Sequence, residues 1–132
     1  IGNIGDSRAY HITPEGIFQI SRDHSVVENM VAKGDLTPLE ARTHPNRNLI
    51  TRALGPDIHA KADAFELPWH KDEFLLLCSD GLVNTVSDQE MLFEVLHDGD
   101  VNECLDHLLQ ISLQRGAPDN ITAVLLLNEE GR

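Results

Sequence analysis

Cysteine is scarce in this sequence. Only Cys78 and Cys104 occur. Two are too few for a disulfide framework or a Cys-rich zinc site, and their apolar surroundings suit buried thiols in a reducing compartment. Positive charge is also scarce. Ten Lys and Arg stand against 22 Asp and Glu, a formal net charge of −12, which is the wrong sign for attraction to a nucleic-acid backbone. No apolar run approaches the roughly 20 residues of a membrane-spanning helix, and no secretory leader is expected. The expectation is therefore a cytoplasmic protein with neither nucleic-acid nor membrane partners. None of the seven histidines shows H-x-x-x-H spacing, which argues against a zinc hydrolase. Internal repeats and low-complexity tracts are missing too. The sequence opens at Ile1 without an initiator Met, inside what reads as a strand. A first strand with nothing before it lacks a partner, so a piece of a longer chain is expected.

What is present is one domain's worth of ordinary globular sequence: 132 residues, 41% apolar and 24% charged, enough to bury roughly two thirds of the unfolded surface. Residues 8–12 and 16–20 read as a hairpin around Thr13-Pro14-Glu15-Gly16. Val26, Val27, Met30 and Val31 recur at helical spacing within His24 to Lys33, with Gly34 as the stop. Thr37-Pro38-Leu39-Glu40 opens a short helix with a capping box and a proline at its first position. From residue 23 to 57 the chain reads as a compact, mostly exposed excursion carrying Arg42, Arg47 and Arg52. Ala60 to Leu67 is a candidate strand. Glu73 to Cys78 is an unbroken apolar run, as for a strand buried on both faces, and it stops at Ser79-Asp80-Gly81. Ser87 to Glu90 is a capping box for a helix to about Leu96. Asp100 to Glu103 repeats that logic for a helix from Val101 to Arg115, whose stripe is Val101, Cys104, Leu105, Leu108 and Ser112. Ile121 to Leu127 is a second apolar strand, and the tail from Asn128 to Arg132 is polar.

The acids fall at telling places. Asp80 follows one apolar strand and Asp119 precedes the other. If those strands pair antiparallel, the two aspartates meet at one edge of the sheet. Carboxylates brought together repel unless a cation sits between them, and hard oxygen ligands suit magnesium or manganese. Two ordinary turn or cap aspartates are the plain alternative. Asp6, in Gly5-Asp6-Ser7-Arg8, is a third candidate. There the alternative is a strand bulge with an ion pair to Arg8.

Four segments together resemble the metal-dependent serine/threonine protein phosphatases of the protein phosphatase 2C (PPM) type. They are Ile4-Gly5-Asp6-Ser7-Arg8-Ala9-Tyr10, Asp23-His24-Ser25, Leu77-Cys78-Ser79-Asp80-Gly81-Leu82 and Gly116-Ala117-Pro118-Asp119-Asn120-Ile121-Thr122. Ala41-Arg42-Thr43-His44-Pro45 and Leu49-Ile50-Thr51-Arg52-Ala53-Leu54-Gly55 are similar to the bacterial branch, and the order matches throughout. The resemblance implies an α+β fold, part of an αββα sandwich of two antiparallel sheets flanked by helices. It implies that Asp80 and Asp119 are the catalytic residues that bind the first ion of a binuclear Mg²⁺ or Mn²⁺ centre. Asp6, with Asp80, would hold a third, weaker ion. The excursion from about His24 to Leu54 would be a flap beside the active site, with His44 as its candidate substrate-facing residue; a surface-loop histidine is the alternative. The family's Asp-Gly-x-Gly-Gly motif does not occur in these 132 residues, so the chain is expected to be the C-terminal half of a catalytic domain.

The activity so implied is hydrolysis of phosphoserine and phosphothreonine in proteins, opposed by a serine/threonine kinase, with no cysteine nucleophile. Cys78 would be inert core. A non-catalytic, phosphatase-like interaction or regulatory module is the competing reading, and a generic acidic metal-binding domain the third. Retention of Asp6, Asp80, Asp119 and Asn120 favours the enzyme.

Overall fold

A computed structural model of the chain describes residues 1–53, 55, 59–116 and 120–130. Its elements run β1 (Gly2–Asn3), β2 (Arg8–Thr13), β3 (Gly16–Gln19), α1 (Val26–Ala32), α2 (Pro38–Thr43), β4 (Asp63–Ala64), β5 (Phe74–Cys78), α3 (Asp80–Val83), α4 (Asp88–His97), α5 (Val101–Gln114) and β6 (Ala123–Leu127). Two antiparallel sheets result. One is four-stranded in the order β3-β2-β5-β6, and the other is the β1-β4 pair. Among the described residues no helix is long and apolar enough to cross a membrane.

Alternation along the strands decides what each face meets. Tyr10, Leu76 and Leu125 stand in one register row. With Ile12 and Cys78 they pack on Leu82, Met91, Val95, Cys104 and Leu108 from the helices that follow β5, and on Val86 from the α3-α4 connection. Each such large apolar side chain contributes about 1.5–3 kcal/mol by leaving water. The other face carries Ala9, Leu77 and Val124 in one row and His11, Leu75 and Leu126 in the next. The β1-β4 pair lies over part of it, across a cavity of about 280 Å³ whose lining includes Asn3, Ala9, Leu77 and Val124.

The predicted hairpin forms with Thr13 opposite Gly16. Both capping boxes are present, Thr37 with Glu40 and Ser87 with Glu90. Three expectations differ. The Ala60 to Leu67 strand shrinks to Asp63–Ala64, because its pairing with the first residues of the chain stops at Phe65, which exchanges backbone hydrogen bonds with Ile1. Ser79-Asp80-Gly81, read only as the end of a strand, opens α3, a single turn too short to show an apolar period. At α5 the cap is Asp100 alone, accepting from the Asn102 N–H at 3.0 Å, without a reciprocal bond from Glu103. The excursion closes on itself. Ser25 bridges Ile50, the Val26 N–H donates to the Leu49 carbonyl at 3.0 Å, and the Thr51 N–H donates to the His24 carbonyl at 2.8 Å.

Glu90 does more than cap α4. It accepts from Arg115 at the end of α5, and Arg115 also donates to the Thr85 carbonyl at 2.8 Å. The Arg115 hydrogen bond, then the Ser87 N–H, hold the Glu90 carboxyl down at about 2. A depressed folded value stabilises above the ordinary carboxylate range and is lost as pH falls through about 2. Both side chains are more than a third exposed (48% and 36%), so the ion pair is worth less than about 1 kcal/mol. Glu90→Gln keeps an acceptor for the Ser87 N–H but removes the charge. Urea unfolding of this variant is expected to show a smaller loss of stability on acidification than the wild type shows.

Candidate functional site

The antiparallel pair β5-β6 carries on past its last ladder residues, Cys78 and Ala123. The Ser79 N–H donates to the Thr122 carbonyl at 2.9 Å, and the Thr122 N–H donates back to Ser79 Oγ at 3.0 Å. Ser79 is also the N-cap of α3, so Asp80 is the first helical residue, raised at the sheet edge. Gly81 lies directly against the Asn120 carbonyl. A Cβ there would come within 2.2 Å of that oxygen. Asp80 and Asn120 therefore share the edge that the sequence anticipated. Asp119 itself lies outside the described residues.

Asp6 reaches the same place from the turn between β1 and β2. Gly5 makes that turn with φ +106°, where an L side chain is strained. The carboxyl groups of Asp6 and Asp80 are in hydrogen-bonding contact. Together with Asp23, Arg42, Arg47 and Asn84 they line a small cleft of about 60 Å³. Asp6 is half-buried, and its pKa is raised, first by burial and then by the negative charge of Asp23. Two carboxyl groups in such contact hold either a shared proton or a cation between them. The donor set, carboxylate oxygens at a partly buried edge, fits a hard divalent ion.

Arg8 does not pair with Asp6, contrary to expectation. Its guanidinium grips Asp23 with two nitrogens, Nε at 3.0 Å and Nη2 at 2.8 Å. It also donates to the Tyr10 hydroxyl, which donates to Asp88. The side chains of β2 alternate, so Arg8 follows Tyr10 toward the helices. Burial pushes the thiols of both Cys78 and Cys104 up to about 12. Both are therefore protonated at neutral pH and unfit as nucleophiles.

His44 caps the end of α2, where its Nδ1 accepts from the Asn46 N–H at 3.0 Å. The residues that α2 and its following turn bring to the cleft are Pro38, Ala41 and two cations, Arg42 and Arg47. Arg42 Nη2 donates to the Val83 carbonyl at 2.9 Å, and Asn84 Nδ2 donates to Asn48 Oδ1 at 3.0 Å, so the excursion is tied to α3. Sequence reasoning named both arginines as charge on the excursion and assigned neither to the site. The available signal was a cluster of basic residues in a strongly acidic chain. A separate group, Glu94, Asp98 and His107, lies at the α4-α5 corner with one ligand atom of each within 4.8 Å of the others. His107 Nδ1 is 3.0 Å from Asp98, whose hydrogen bond raises the imidazole pKa. None of these three lines the Asp6-Asp80 cleft.

No family model matches the chain. Over 135 residues it is 35% identical to the serine/threonine phosphatase stp of Listeria monocytogenes, covering 100% of this chain and 54% of that protein. The crystal structure of the serine/threonine phosphatase Stp1 from Staphylococcus aureus matches with a TM-score of 0.90 and 41% identity, over 97% of this chain and 50% of that one. The catalytic domain of the serine/threonine protein phosphatase PstP in complex with two manganese ions matches with a TM-score of 0.76 and 35% identity, over 94% and 51%. The chain thus spans about half the length of these relatives.

Proposed function

Because the chain belongs to the bacterial PPM-type serine/threonine phosphatases and matches about half their length, we propose that it is the C-terminal half of a catalytic domain that hydrolyses phosphoserine and phosphothreonine in proteins. The observation that carries this reading is the contact of Asp6 with Asp80 in a cleft rimmed by Arg42 and Arg47. Asp80 and Asp6 hold divalent metal, and Asp119, by the family resemblance, completes the set. A relative carries two manganese ions, which supports a binuclear Mg²⁺ or Mn²⁺ centre, with Asp6 and Asp80 at a third, weaker site. When bound, such ions lower the pKa of a water and offset charge on the phosphoryl oxygens.

The chain's own residues do the placing. The Ser79 cap and the close Gly81-Asn120 approach fix Asp80 at the edge. Asp23, neutralised by Arg8, sets the back of the cleft. Arg47 and Arg42 bring positive charge to a molecule that is otherwise strongly acidic, which admits a phosphorylated side chain to the site. The excursion that carries them acts as a flap, with His44, between the two arginines in the chain, as its candidate substrate contact. The substrates are phosphorylated proteins, the counterpart is a serine/threonine kinase, and the setting is the cytoplasm.

The test is phosphate release from a phosphothreonine peptide by the full-length protein, with Mn²⁺ added and then chelated. Release that depends on Mn²⁺ is expected. None at any Mn²⁺ level would overturn the enzymatic reading in favour of a non-catalytic module. The isolated 132 residues are expected to leave p-nitrophenyl phosphate intact, and turnover by them alone would refute the half-domain assignment.

A further inference from the structure

His24 is the one residue of the Asp23-His24-Ser25 motif that the proposed reaction leaves unexplained. It is 5% exposed and holds Gly5 from both sides. Its backbone N–H donates to the Gly5 carbonyl at 2.8 Å, and its Nδ1 accepts from the Gly5 N–H at 3.0 Å. A backbone N–H is only a donor, so Nδ1 is bare and the proton of the neutral ring sits on Nε2. That Nε2–H donates to Asp63 Oδ2 at 2.7 Å. Asp63 Oδ1 in turn accepts from Arg52 Nη1 at 3.2 Å. The pKa of Asp63 is lowered, first by the His24 hydrogen bond, so it is an acceptor at neutral pH. The His24 carbonyl meanwhile accepts from the Thr51 N–H at 2.8 Å, at the foot of the excursion.

We propose that His24 is the positioning residue for Asp6: its Nδ1 and backbone N–H clamp Gly5 at its positive φ, and the Asp63-Arg52 pair fixes the ring tautomer that allows it. The inference rests on the assignment of Asp6 to a metal site made above. The clamp sets the direction in which the chain enters Asp6. Gly5 has φ +106°, one of several conformations open to glycine, so the clamp is what selects it. Asp63 sits in β4 opposite Asn3 of β1. The same clamp therefore ties together the small sheet, the foot of the flap and the Asp6 turn. His24 is not among the residues that line the cleft, and its ring reaches the Asp6 turn through Gly5.

Two isosteric substitutions separate this role from simple core filling. The Asn side-chain oxygen occupies the place of Nδ1 and can accept from Gly5. The Gln side-chain nitrogen occupies the place of Nε2 and can donate to Asp63, but it leaves the Gly5 N–H without a partner. In the metal-free full-length protein, nitrogen NMR is expected to find His24 bare at Nδ1 and protonated at Nε2, and the Gly5 amide slow to exchange. His24→Asn should keep that slow exchange. His24→Gln should lose it. Calorimetric Mn²⁺ binding should be weaker in His24→Gln by about tenfold, the usual cost of losing an outer-shell partner, and near wild type in His24→Asn. The Mn²⁺ needed for half-maximal turnover should follow the same order, with KM for p-nitrophenyl phosphate unchanged.

Equal Mn²⁺ affinity in the two variants would overturn the proposal, as would a wild-type ring protonated at Nδ1. If the wild type binds Mn²⁺ in the expected order of variants yet hydrolyses nothing, the phosphatase reading fails and the positioning role stands.

Discussion

Asp80→Asn in the full-length protein is expected to cut Mn²⁺-dependent turnover by more than about a hundredfold, since losing a direct ligand should exceed the 10–100-fold typical of an outer-shell partner. The fold should barely notice. Asn is the same size, and Asp80 is the partly buried first residue of α3. In the metal-free protein the change has a favourable side. Asp6 and Asp80 now face each other as carboxyl groups in contact, which requires a shared proton. An Asn amide donates to Asp6 without one. Thermal stability without metal should therefore be unchanged or slightly higher, while stabilisation by added Mn²⁺ disappears. Asp119→Asn should match Asp80→Asn in activity, and Asp6→Asn should be milder because it serves the weaker site. A wild-type rate at limiting Mn²⁺ in either of the first two variants would remove that residue from the site. This combination, activity lost with folding retained, separates a metal ligand from an aspartate that merely caps a helix.

Much of this geometry was legible because the relevant signals are local. The antiparallel pairing of the two apolar runs follows from their composition, and it is enough to bring residues 80 and 120 to one edge. The capping boxes at Thr37 and Ser87 are written in four residues each. Their bonds span only three residues, so they form as read, and the Glu90 carboxylate accepts from Arg115 without giving up its cap. Other features depend on contacts across the fold. Arg8 was read as a neighbour of Asp6, two residues away. The pleat instead turns Arg8 toward Asp23, 15 residues later, leaving Asp6 to meet Asp80. Arg42 and Arg47 looked like exposed flap charge until closure of the excursion by the Ser25-Ile50 bridge brought them over the cleft. The histidine that now carries most meaning, His24, looked like a helix-start residue. Its three partners, Gly5, Thr51 and Asp63, come from three separate segments, and no spacing in the chain announces them.

Gly81→Ala carries the second large effect, and its sign is the informative part. Gly81 lies inside α3 with an ordinary helical backbone. By intrinsic propensity alone Ala should stabilise it by up to about 1 kcal/mol. The tertiary contact says the reverse. The new methyl would meet the Asn120 oxygen at 2.2 Å and its carbonyl carbon at 3.1 Å. Both atoms are backbone, and the same oxygen accepts from the Ser79 hydroxyl, so neither side can yield cheaply. Overpacking of this kind costs about 1–3 kcal/mol, more than propensity returns. Relief can come only by moving α3 away from the β6 side, which carries Asp80 off the edge. The expected result is a lower thermal midpoint together with a higher Mn²⁺ requirement for turnover. Gly99→Ala is the control, because a Cβ there meets nothing within 4 Å, and it should change neither quantity. A stabilised Gly81→Ala protein with unaltered Mn²⁺ dependence would mean that the two strand ends do not approach as closely as described. The shared edge on which Asp80 depends would then have to be redrawn.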